Sequence, residues 1–173
     1  MVGRQTLKLE EENKMPWTSP TGFVEDAWIA EALAYDEIVD YSHAAFSDQI
    51  SPGYNTDYLE LTHAAINCDK VRVCVGLNET DDLQGYDVEV YYGGAWHATT
   101  GDNDVFNAWN EFAIGSTQSV TAMRFIGYND SEELGVYFYL EEADFGEVEA
   151  GQTILDYERG APGANRGAMR GTV

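Results

Sequence analysis

Residues 86–98 read Tyr86-Asp87-Val88-Glu89-Val90-Tyr91-Tyr92-Gly93-Gly94-Ala95-Trp96-His97-Ala98, and this stretch decides the fold class. Side chains alternate along an extended strand, so Val88, Val90 and Tyr92 share one face while Asp87, Glu89 and Tyr91 share the other. Gly93-Gly94 can take positive φ without a steric penalty, which suits a two-residue turn, and Ala95 to Ala98 runs back as the partner strand. The stretch predicts a hairpin with one buried and one wet face.

The same pattern recurs on both sides of it. Tyr58, Glu60 and Thr62 alternate with Leu59 and Leu61. Val71, Val73 and Val75 form the apolar side of a further strand that ends at Gly76 and the polar loop 78–84. Trp109–Ile114 alternates and stops at Gly115-Ser116. Val120–Ile126 and Gly135–Leu140 predict two more strands about the turn Asn129-Asp130-Ser131, and Ala143–Val148 closes the set. Short strands at this spacing predict an all-β protein: an antiparallel β-sandwich of the jelly-roll kind with seven to eight strands, over residues 21–150. Val24, Trp28, Ala32 and Tyr35 stand at helical spacing and predict one short amphipathic helix, with Trp28 turned to the core. Residues 1–20 read as an N-terminal arm, with Trp17 between Pro16 and Pro20 as the peg that docks it. Residues 151–173 read as a Gly- and Arg-rich C-terminal arm.

Charge bounds the function. The chain of 173 residues carries 31 acidic and nine basic side chains, a formal net charge of −22. Between Met15 and Glu158 the basic residues are Lys70, Arg72 and Arg124 alone, while Arg159, Arg166 and Arg170 make the tail positive. A body this acidic repels nucleic-acid phosphate and anionic lipid, so neither is expected as a partner. No apolar run is long enough to span a membrane, and Met1–Lys14 has charges but no apolar stretch of the secretory kind.

Catalytic signatures are missing from the sequence. His43, His63 and His97 stand far apart and in no metal-ligand spacing, and there is no nucleophile elbow, P-loop or dinucleotide fingerprint. Carboxylates are so frequent that a pair of them carries no information about glycoside hydrolysis. Cys68 and Cys74 on one strand would be about 20 Å apart at ~3.3 Å per residue, too far for a disulfide, so both are expected as free buried thiols. Asn78-Glu79-Thr80 and Asn129-Asp130-Ser131 match the glycosylation pattern.

The run from Trp28 to Glu149 resembles the discoidin-like, or galactose-binding-like, jelly-roll modules. Ala34-Tyr35-Asp36 is similar to the family's Ala-x-Asp loop, and Asp57-Tyr58-Leu59-Glu60-Leu61 to its x-Leu-x-Leu strand. Cys68–Val73 resembles the strand that follows, Tyr86–Trp96 the Val-x-Tyr-Ser-x-Asp-Gly-x-Trp hairpin, and Val120–Phe125 with Leu140–Glu149 the closing strands. The pieces cover about two thirds of the chain, and their order carries the likeness. The turn reads Gly93-Gly94 where the family often has Asp-Gly, and the paired cysteines of secreted members are absent. Modules of this look, with free arms, are similar to those on tailed-virus and phage virion proteins.

The resemblance implies a non-enzymatic structural or binding module. The leading expectation is a virion component (capsid decoration, neck, tail or fibre), made in the host cytoplasm and assembling with its own copies or other virion proteins. Trp17, Arg159, Arg166 and Arg170 are its assembly residues, because guanidinium forks on a flexible tail match the carboxylates of a neighbouring body. The alternative is a carbohydrate-binding module attached to glycans. Aromatic faces suit pyranose rings, which makes Tyr54, Asn55, Trp96 and Trp109 the ligand-binding candidates, with burial in the core as the competing reading for the two tryptophans. The family often shares a structural Ca²⁺ between an early-loop Asp and a Glu of the last strands. The resemblance places these at Asp36 and Glu142, with Asp40 nearby; an acidic loop without an ion is the competing reading.

Overall fold

The computed structural model describes residues 16–24, 28–77, 84–132 and 135–148. In chain order the strands are β1 (Trp17–Thr18), β2 (Gly22–Val24), β3 (Ala45–Phe46), β4 (Tyr54–Asn55), β5 (Leu59–Leu77), β6 (Gln84–Tyr92), β7 (Ala95–Ala98), β8 (Trp109–Asn129) and β9 (Phe138–Glu147). The hairpin forms as read: β6 and β7 pair from Glu89↔Ala98 to Tyr92↔Ala95. Gly93 and Gly94 both take positive φ, 60° and 86°, the left-handed pair that matches the twist of a two-residue hairpin. Tyr86, Val88 and Val90 are buried while Asp87 is exposed.

Three pairs of short strands expected from the sequence are instead three long ones. Residues 58–62 and 71–75 belong to β5, residues 109–114 and 120–126 to β8, and much of 135–148 to β9. The apparent breaks are bulges. The β5–β8 register shifts between Thr62 and Ile66 and again between Cys68 and Lys70, and Gly115, with φ 93°, lies in the same stretch of β8. A bulge interrupts the alternation that marks a strand but lets the chain bend and continue. Because they bend, β5 and β8 serve two layers. The first part of β5 pairs with β2 and with the end of β8, which also carries β6 and then β7. The second part of β5 lies between the start of β8 and β9, with β1 and β3 on the far edge of β9.

The core fills the space between these layers. Tyr86 packs on Phe125 and Phe112 at 5.2 and 5.9 Å between ring centroids, and Phe125 meets Phe138 at 6.2 Å. Trp28 is 4% exposed, edge-on to Phe125, and its indole N–H donates to the Asp57 carbonyl at 2.9 Å. It therefore sits in the core as expected, but not on the expected helix. Gly22–Val24 pairs with β5, and among the described residues helical turns appear only as a 3₁₀ segment, Glu31–Tyr35. The pairing of Val24 with Glu60 keeps that end of the predicted helix extended. Cys68 and Cys74 are free and buried. No helix of the described residues is long and apolar enough to cross a membrane.

Candidate functional site

Val71 and Val73 point into the core, so Arg72 between them points out. Strand register then assembles a row of chemistry on that outer face. Asp144 of β9 stands opposite Arg72, Glu142 opposite Cys74, and Trp109 of β8 opposite Cys74 from the other side. Trp17 of β1 stands opposite Gly146. The Arg72 guanidinium lies 3.9 Å from the Trp109 ring centroid and 4.4 Å from that of Trp17. It donates through Nε and Nη2 to Asp144 Oδ2 at 2.8 and 2.6 Å. Trp17, Arg72, Trp109, Glu142 and Asp144, with Ser19, Glu37 and Val39, line a cleft of about 300 Å³. That volume is at the lower end of the range of small-ligand sites.

Glu142 is the unusual member. It is 2% exposed; Oε1 accepts the Ala143 N–H at 3.3 Å, and Oε2 has no hydrogen-bond partner among the described residues. Burial, then the neighbouring Asp144 charge, push its carboxyl up to about 7, against the pull of the Ala143 and Glu37 N–H groups; Asp36 adds to the rise.

The structure disperses the other residues singled out from the sequence. Tyr54 is 67% exposed and pairs with Asn129, while Asn55 is exposed beside Tyr128. Trp96 lies on the outer face of the other layer, edge-on to Tyr91 and 4.4 Å from the Arg124 guanidinium, which also covers Tyr58 at 3.8 Å and pairs with Glu89. Of the four ligand-binding candidates, Trp109 alone lines the cleft. Asp36 accepts from the Ile38 N–H at 2.9 Å and lies 3.4 Å from His43 Nδ1. Asp40 takes the N–H and hydroxyl of Ser42, which hold its carboxyl below the usual range. Among the described residues no group of three or more His, Cys, Asp or Glu is arranged to hold a metal ion, so Asp36, Asp40 and Glu142 do not converge as a trio. Trp17 docks the end of the N-terminal arm on β9 and the Arg72 face of the same chain. Arg159, Arg166 and Arg170 lie outside the described residues, as does Asn78. Asn129 is fully buried and its Oδ1 accepts from Ser131, which closes that glycosylation pattern in the folded chain.

Sequence reasoning missed Arg72, Asp144 and Glu142 as parts of one cleft with Trp17 and Trp109. A signal was present: Arg72 is a rare cation of the acidic body, flanked by core valines and so outward-facing. All three body cations share its design. Lys70, Arg72 and Arg124 each pair with a carboxylate and lie against an aromatic ring.

No family model and no curated protein matches the sequence. Solved structures do. The chain is similar to the CBM32 of AlyQ in complex with 4,5-unsaturated mannuronic acid, at 12% identity and a TM-score of 0.52, over 75% of this chain and 97% of that one. It is also similar to CBM32-1 from a family 31 glycoside hydrolase from Clostridium perfringens, at 9% identity and a TM-score of 0.51, over 78% of this chain and 95% of that one. At these identities the likeness is one of fold, and that fold is the discoidin-like β-sandwich expected from the order of the sequence pieces.

Proposed function

We propose that the chain is a non-enzymatic glycan-binding module whose ligand lies in the cleft between Trp17 and Trp109. The observation that carries this reading is the cleft itself: two indole rings set around a guanidinium, rimmed by Ser19, Glu37, Glu142 and Asp144. Indole edges and faces suit the apolar side of a pyranose, and the rim supplies acceptors for its hydroxyl groups. The shared sandwich supports it, since both solved structures named above are CBM32 modules. The particle-assembly reading rests on the basic tail, which lies outside the described residues, and so ranks second.

Retention on a panel of immobilised glycans tests the proposal, with Trp109→Ala and Tyr54→Ala compared against the wild type. Trp109→Ala is expected to weaken binding about tenfold or more, the ~1.4 kcal/mol scale of one aromatic contact, with the fold intact by circular dichroism. Loss in Tyr54→Ala alone would move the site to β4. No retention by the wild type on any glycan would overturn the reading.

A further inference from the structure

We infer that this cleft selects glycans bearing free amino groups over neutral or uronic-acid glycans; the inference rests on the glycan reading above and names the ligand class of the same site. The charge in the cleft is unbalanced. Glu37, Glu142 and Asp144 line it against Arg72, and Arg72 is already ion-paired with Asp144. Among the described residues, two carboxylates of the cleft therefore remain without a cation. One of them, Glu142, lines the cleft, is 2% exposed, and has a buried Oε2 with no hydrogen-bond partner among the described residues. A buried acceptor left unmade is costly, and a ligand that donates to it recovers that cost. An ammonium group offers three donors and a full positive charge, which makes the bond charge-assisted; a hydroxyl offers one neutral donor, and an acetylated amine a bulkier one.

The Trp walls fit the same ligand. An amino sugar carries a cation on a ring, and a cation held over the face of an indole is attracted by its π electrons, as the Arg72 guanidinium already is. A uronate meets the opposite field. Its carboxylate would be brought against Glu142 and Asp144, and against a body whose chain carries a net charge of −22.

The probes are glucosamine oligomers, N-acetylglucosamine oligomers of equal length and galacturonate oligomers, titrated calorimetrically into the full chain with EDTA present so that no divalent ion occupies Glu142. The quantity read is the ratio of affinities for the amine and acetylated probes. A ratio of about ten or more is expected for the wild type, the order of one charge-assisted contact. The ratio should collapse toward one in Glu142→Gln, yet persist in Asp48→Asn, which removes the same charge from an exposed position outside the cleft. A ratio near one in the wild type, or a high ratio kept by Glu142→Gln, overturns the inference while leaving the glycan reading standing, the latter because bulk charge alone would then explain the preference. Failure of all three probes, together with the glycan panel, overturns both.

Discussion

Among the described residues, burial raises the pKa of cysteines, of tyrosines and of Glu142. Cys68 is pushed up to about 11 and Cys74 to about 12, in each case chiefly because the buried thiolate would lose its hydration. Neither thiol should react with a disulfide reagent at pH 8 in the native protein, and both should react once denaturant is added; rapid labelling of the native form would contradict the burial. Glu142 shifts in the same direction and chiefly for the same reason, but its window lies below neutral pH. It titrates near 4.5 when unfolded and near 7 in the fold, so between those values the folded state holds more proton than the unfolded one. Stability therefore falls as pH rises through that window, by on the order of 3 kcal/mol. Glu142→Gln cannot ionise and should raise the melting temperature at pH 8 relative to wild type, with little gain at pH 4. Melting curves across pH check this, and an equal shift at both pH values would rule out the charge as its cause.

At the scale of the element, β5 and β8 hold the molecule together, because the two ends of each serve different layers. Gly127 is where β8 packs most tightly: a Cβ there would meet the Phe138 ring at 2.6 Å. Gly127→Ala is expected to cost about 1–3 kcal/mol, since the core ring it strikes has little room to move. The hairpin turn has the reverse character. Nothing lies within 4 Å of a Cβ built on Gly93 or Gly94, and only their positive φ matters. Gly93→Asn should be tolerated, because Asn visits the left-handed region, while Gly94→Ala should cost about 1 kcal/mol. Denaturant titration of the three variants gives the order directly; a Gly127→Ala as stable as Gly93→Asn would mean that the layers are looser than described.

For the molecule as a whole, charge is the dominant variable. A net charge of −22 on 173 residues makes compact states repel themselves, and screening relieves that repulsion. The melting temperature should rise as sodium chloride is raised from low to physiological concentration, even though the Lys70, Arg72 and Arg124 pairs weaken under the same screening. Those pairs are few and each is backed by an aromatic face, so repulsion wins. A melting temperature that falls with salt would assign more stability to the three pairs than to the relief of repulsion.

The all-β class, the hairpin, the jelly-roll sandwich and the burial of Trp28 were legible in the sequence alone. The first three follow from alternation with period two or from the choice of turn residues, and the last from the apolar spacing of Val24 to Tyr35, all local properties of the chain. The length of β5, β8 and β9 was not legible, because a bulge erases the alternation while the hydrogen-bonded ladder continues on either side of it. The helix read over Val24–Tyr35 does not form as read, because its apolar spacing at Val24 and Trp28 is satisfied instead by a strand edge and a core contact. Trp109 could be named as a ligand candidate from its type, but the cleft could not. Trp17, Arg72, Trp109 and Glu142 come from four different strands, and the register that sets them side by side is a property of pairing between distant segments. Only the tertiary structure decides that register, and with it which of many carboxylates is buried without a partner.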